Sequence, residues 1–116
     1  MQFRAYRMRL KNEHVMDYEH VHKKGQIWNS VITGMKKAGF TKMIIFQEGQ
    51  DIILFEEAND LKKAYKYYSK DETSQKWDKM ILEWMEKYPG YNEIKGDIDF
   101  EEVPVIFYYD RGRLLH

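Results

Sequence analysis

Tyr18 and His22 stand four residues apart in the stretch DYEHVHKKGQIW (17–28). On a helix they share one face, with Cβ atoms about 5–6 Å apart. An imidazole titrates near neutral pH and gives or takes a proton there. A neighbouring phenol can hold or polarise a hydroxyl. The pair suits proton transfer on a small polyhydroxylated ligand. Spacing alone also allows a structural reading, in which Tyr18 packs inward and His22 hydrogen-bonds a carbonyl.

The other histidines suggest no metal site. His20 and His22 are two apart and diverge on a helix, His14 lies two turns from His22, and His116, the final residue, is expected to be mobile. No HExxH motif is present. Trp77 and Trp84 are seven apart with Met80 and Ile81 between them, the inward stripe of an amphipathic helix. Trp77 is nearer that helix's start, where a pocket mouth would lie. Neither ITGMKKAG nor QEGQD fits a phosphate loop, and no GxSxG occurs.

These side chains must be positioned by a chain of 116 residues, one domain spanning 1–116 by length. Hydrophobic residues make up 43%, enough for a core, and aromatics make up 16%, enough to line a ring or sugar pocket as well. Lys+Arg and Asp+Glu are 19 each, a balance that gives no electrostatic footprint for nucleic acid or an anionic membrane. The absence of cysteine excludes disulfides, thiolate metal sites and a Cys nucleophile, and suits a cytoplasmic protein. No apolar run approaches the length of a membrane helix, and MQFRAYRMRL lacks the apolar stretch of a secretory signal.

Period-two alternation predicts a strand over 3–10. Asn12 is the expected N-cap of a helix running to about Lys24, with Gly25 breaking it. Helical spacing resumes through Ile27, Val31 and Met35 and stops at Gly39. Strands at 40–47 and 51–58 flank the loop Glu48-Gly49-Gln50. Their centres are apolar on both parities, so both sheet faces should be covered. Asp60 should cap the helix LKKAYKYYSK, and Thr73 or Ser74 the helix QKWDKMILEWMEKY, which should end at Pro89-Gly90. The stretch 92–102 reads as irregular, and VPVIFYY (103–109) as the last strand, at a sheet edge because Pro104 has no N–H to donate. This order predicts an α+β fold, the ferredoxin-like split βαβ with an antiparallel sheet. Helices would cover one sheet face. A second copy would cover the other, giving a twofold homodimer.

The motifs RAYRMRL, DYEHVH, IW and QKWDKM together resemble the L-rhamnose mutarotase family, with the likeness running to about Met85 and resuming at EEVPVIFYY. The resemblance implies a dimeric ferredoxin-like α/β barrel that interconverts the α and β anomers of a monosaccharide substrate, L-rhamnose or a similar sugar, without cofactor or metal. It makes His22 the proton-donating residue, Tyr18 a substrate contact and Trp77 a residue that helps hold the sugar. Met43 stands where the family has a tyrosine, Asp78 where it has a second consecutive tryptophan, and two extra residues lie between His22 and Trp28. Both departures fall at substrate-binding positions, and Trp28 and Met43 join Trp77 as candidates for the apolar wall of the pocket. Altered walls leave other 6-deoxyhexoses, such as L-fucose, open as substrates. Two other readings suit the same fold: a monooxygenase on the same dimeric barrel, and a non-catalytic dimer that binds a small ligand.

Overall fold

Alternation along the first strand, β1 (Gln2–Arg9), places Tyr6 and Met8 in the core and Arg7 and Arg9 outside. The computed structural model describes residues 1–86, 91–92, 97–98 and 101–115. A short 3₁₀ turn (Asn12–His14) leads into helix α1 (Val15–Val21), and helix α2 follows at Asn29–Ala38. Strands β2 (Phe40–Glu48) and β3 (Asp51–Ala58) form a hairpin, then come helices α3 (Leu61–Tyr68) and α4 (Glu72–Glu83). Among the described residues five two-residue strands complete the chain: β4 (Tyr91–Asn92), β5 (Asp97–Ile98), β6 (Glu101–Glu102), β7 (Tyr109–Asp110) and β8 (Arg113–Leu114). The main sheet has the order β2-β3-β1-β6, and every neighbouring pair is antiparallel. β1 and β2 therefore run parallel with β3 between them, which is the split βαβ arrangement expected.

Register fixes the two faces of the sheet. Tyr6 pairs with Leu54 and Met8 with Ile52, while Leu54 also faces Ile45. This row packs under the helices, where Met8, Leu10, Tyr18, Val31, Ile52, Trp77, Ile81 and Met85 form the main core. Glu56 shares that face and is fully buried; it accepts a hydrogen bond from the Tyr65 hydroxyl and lies 3.5 Å from the Arg4 guanidinium. The opposite row runs Ile44–Phe55–Ala5 and Phe46–Ile53–Arg7. Ile44 and Phe46 remain 42% and 58% exposed, so the helices cover one apolar face and leave the other open. Of that open face, Phe3 is covered by Tyr108, whose ring stacks 4.9 Å away.

Capping decides where the helices begin. The Asp60 side chain accepts from the Lys63 N–H, as expected, and Gln2 Oε1 accepts from the Leu61 N–H. The cap of α4 is Asp71, not Thr73 or Ser74: its Oδ2 accepts from both the N–H and the hydroxyl of Ser74. A carboxylate that takes both donors satisfies more of the helix end than a hydroxyl. α4 stops at Glu83 with Trp84 as its C-cap, ahead of the expected stop at Pro89-Gly90, which lies outside the described residues, as do most of 92–102 and His116. There the chain leaves helix to bridge Leu10 to Met85, with the Lys11 and Glu86 N–H groups bonding the carbonyls of Trp84 and Arg9.

Three further expectations need correction. Asn12 lies inside the 3₁₀ turn and caps nothing; α1 is helical only to Val21. The β2–β3 loop is Gly49-Gln50, because Glu48 remains paired with Asp51 and Gly49 takes φ 58°. The stretch 103–109 is not the last sheet strand. Edge pairing to β1 uses Glu101 and Glu102, the Val103 N–H makes one further bond to the Ala5 carbonyl, and Pro104, lacking an N–H, ends the ladder. The chain then continues outside any strand, with Ile106 and Phe107 exposed, to Tyr108, whose carbonyl accepts from the Leu115 N–H as Tyr109 opens the β7–β8 hairpin.

Candidate active site

A cavity of about 780 Å³ lies between the helices and the covered face of the sheet, within the usual range for small-molecule sites. Tyr18, His22, Met43, Trp77 and Asp78 all line it, so five residues far apart in sequence meet at one hollow. Trp28 does not line it. As the N-cap of α2 its ring packs edge-on against Trp77, 5.1 Å between centroids, so it supports the wall from behind. His14 also turns elsewhere, to Asp17 at 3.0 Å and onto the Trp84 ring.

α1 carries Tyr18 and His22 one turn apart, and its first turn is tied to the sheet by Gln47 Nε2, which donates to the Val15 carbonyl at 2.9 Å. Tyr18 is buried and its ring lies 4.2 Å from that of His22. His22 is the helix C-cap, and its Nδ1 is 2.7 Å from the Tyr18 carbonyl oxygen. A carbonyl only accepts, so Nδ1 carries the hydrogen and Nε2 is the nitrogen left to exchange a proton. The structural reading of the pair is thus correct in its details: Tyr18 packs inward and His22 bonds a carbonyl, which fixes the imidazole's orientation. Trp77 from α4 meets the His22 ring edge-on at 5.3 Å.

Burial sets the protonation states. It lowers the His22 pKa below its ordinary value, with the bond to the Tyr18 carbonyl opposing, so the neutral imidazole dominates at pH 7. It pushes the Asp78 carboxyl up to about 7, opposed by the Tyr68 hydroxyl, which donates to Oδ1 at 3.0 Å. Burial and then the Asp78 charge raise the pKa of both Tyr18 and Tyr68, so both phenols stay protonated. Tyr68 is a cavity residue that sequence reasoning missed. Its spacing from Tyr65 put both on one helix face, but its partner lies ten residues away on the next helix. Among the described residues no group of three or more His, Asp or Glu side chains is arranged to hold a metal ion.

A family model for L-rhamnose mutarotase matches residues 4–109. The chain belongs to the L-rhamnose mutarotase family. It is a sugar mutarotase, a carbohydrate isomerase that interconverts anomers. Among solved structures it is similar to the crystal structure of an L-rhamnose mutarotase from Formosa agariphila, with a TM-score of 0.69 and 17% identity over 95% of this chain and 100% of that one. At that identity the likeness speaks for the α+β fold. No curated protein matches the chain. Family membership favours neither the monooxygenase nor the non-catalytic reading. No helix among the described residues is long and apolar enough to cross a membrane.

Proposed function

We propose that this mutarotase acts on L-rhamnose or a related 6-deoxyhexose, with His22 as its proton-exchanging residue. The observation that carries this reading is the pinned imidazole: Nδ1 is held by the Tyr18 carbonyl, and the ring lies against Tyr18 and Trp77 at the wall of a cavity with ample room for a hexose. Mutarotation opens a hemiacetal and closes it on the other face. Opening delivers one proton to the ring oxygen and removes one from the anomeric hydroxyl; closing reverses both. His22 Nε2 carries one of these protons and returns it. Tyr18 stays a neutral phenol and can donate to a sugar hydroxyl. Trp77 and Met43 offer apolar surface to the C–H face and the methyl group. The reaction already runs in water, so a positioned acid–base pair worth about 10²–10⁴-fold per group is sufficient help.

The working form in this reading is a twofold homodimer whose open sheet faces pack together into a barrel. Ile44, Phe46, Ile53 and Phe55 support it, since they give one chain an apolar face its own helices do not cover. The cytoplasm is the setting that suits a chain without cysteine.

Saturation transfer between anomeric protons, measured by NMR on L-rhamnose and L-fucose, tests the reading. Exchange should be faster with the protein than without it, and His22→Ala should lose about 10²–10⁴ of that acceleration while keeping the fold. Undiminished exchange in the variant removes His22 from the mechanism.

A further inference from the structure

We propose that Asp78, held by the Tyr68 hydroxyl, is the second proton-exchanging group of this site and works as the partner of His22 on the bound sugar. The proposal rests on the sugar-mutarotase reading above and assigns the half of the proton traffic that His22 cannot carry alone.

The argument begins with placement. Asp78 follows Trp77 on α4 and lines the same cavity as His22 and Tyr18. The surrounding wall is largely apolar, with Met8, Met43, Ile45, Leu54 and Ile81. No ion pair among the described residues reaches the Asp78 carboxylate, and one hydroxyl, that of Tyr68, serves Oδ1. Oδ2 takes no hydrogen bond from the described residues and is left for a ligand. A carboxyl in such a wall without an ion pair costs stability, and an apolar side chain would fill the place more cheaply.

The proton balance closes with two groups. In ring opening the Asp78 carboxyl gives its proton to the ring oxygen as the C1–O5 bond breaks and its electron pair passes to O5. His22 Nε2 takes the proton of the anomeric hydroxyl as the C1=O1 double bond forms. After rotation about C1–C2 the steps reverse: O5 attacks C1 on the other face, its proton returns to Asp78, and the imidazolium protonates O1. No electron or net proton is consumed. The titratable groups that share the cavity with Asp78 are Tyr68 and Tyr65 on α3, Tyr18 and His22 on α1 and Lys79 on α4, with Glu56 on β3 behind Tyr65. All three phenols have raised pKa values, so His22 and Asp78 are the pair in play near neutrality. With the carboxyl near 7 and the imidazole below its ordinary value, Asp78 holds a proton more readily than His22, which suits Asp78 to be the opening acid and His22 the opening base.

The test is the pH profile of anomer exchange on L-rhamnose and L-fucose, measured by saturation transfer for wild type, Asp78→Asn and Tyr68→Phe. Wild type should show a bell whose alkaline limb falls near pH 7, where Asp78 loses its proton. Asp78→Asn should lose about 10²-fold or more and that limb with it. Tyr68→Phe guards against a folding artefact because it leaves the carboxyl in place. It removes a donor that favours the ionised form, so the Asp78 pKa rises and the limb moves to higher pH. An Asp78→Asn profile that keeps both rate and limb overturns the proposal, and so does a Tyr68→Phe limb that stays in place or moves down. Wild type without accelerated exchange on either sugar overturns the substrate reading itself, a result distinct from an active enzyme indifferent to Asp78.

Discussion

Replacing Gly34 on α2 by alanine should destabilise the protein, although the same change inside a helix ordinarily helps. A Cβ at Gly34 would lie 2.9 Å from both Asp71 Oδ2 and Ser74 Oγ, closer than packed atoms come. The helix gains about 1 kcal/mol from alanine's better propensity. Against that stand three losses. Forcing a methyl group into a filled contact costs about 1–3 kcal/mol. Moving Asp71 breaks the cap of α4, worth about 1 kcal/mol. Ser74 is fully buried, and its hydroxyl then loses the carboxylate it bonds at 2.6 Å, a further cost of about 1–3 kcal/mol if no other acceptor comes within reach. The sum favours destabilisation by about 2–6 kcal/mol, or about 8–25 °C in Tm for a domain of this size, the lower end applying if Ser74 finds another acceptor. Urea unfolding and thermal melts of Gly34→Ala, Asp71→Ala and the double variant measure it. Asp71→Ala relieves part of the clash, so the double variant should cost less than the sum of the singles. A Gly34→Ala protein as stable as wild type, or strictly additive singles, refutes the reasoning.

Stability should also respond to pH through Asp78. Its folded pKa of about 7 lies above its ordinary value of 3.8, so the folded state binds more protons between the two, and stability falls as pH rises through that window. His22, lowered on folding, contributes in the opposite sense below its ordinary value of 6.5 and is present in both proteins compared. Asp78→Asn should therefore gain on wild type from about pH 4 to about pH 7 in urea unfolding and level off above that; parallel profiles across that window would count against a carboxyl held in an apolar wall. If the proposed homodimer forms through the uncovered sheet face, wild type should sediment as a dimer and Ile44→Glu combined with Phe46→Glu as a monomer, since both residues sit on that face. A wild type that sediments as a monomer, or a variant that stays dimeric, would refute that arrangement.

The parts of the molecule legible from residues alone are those set by local periodicity. The Tyr18–His22 pair needed only the rule that residues four apart on a helix meet, and the β2–β3 hairpin needed only two apolar runs around a glycine. What was illegible depended on partners distant in sequence. The apolar run 103–109 has every local mark of a strand, yet the ladder to β1 is used up at Glu101–Val103 before Pro104 is reached. Trp28 and Trp77 are equally aromatic; only the packing of α2 against α4 decides that one faces the cavity and the other supports it. The cap of α4 went to Asp71 because its carboxylate takes two donors from Ser74, a competition that a list of cap-forming residues does not reveal.

The imidazole at position 22 owes its orientation to an ending. The last carbonyls of any helix lack continuing backbone N–H groups to receive, and α1 stops after seven residues, so the Tyr18 oxygen is within reach of a side chain at the cap. Had the coil run unbroken through Lys24, that oxygen would have been occupied by the main chain, and nothing would dictate which ring nitrogen bears hydrogen. Brevity in a scaffold segment thus selects a tautomer. Lengthening α1 by one turn, with every cavity residue left in place, is the change that would return His22 to an undirected mixture of both forms.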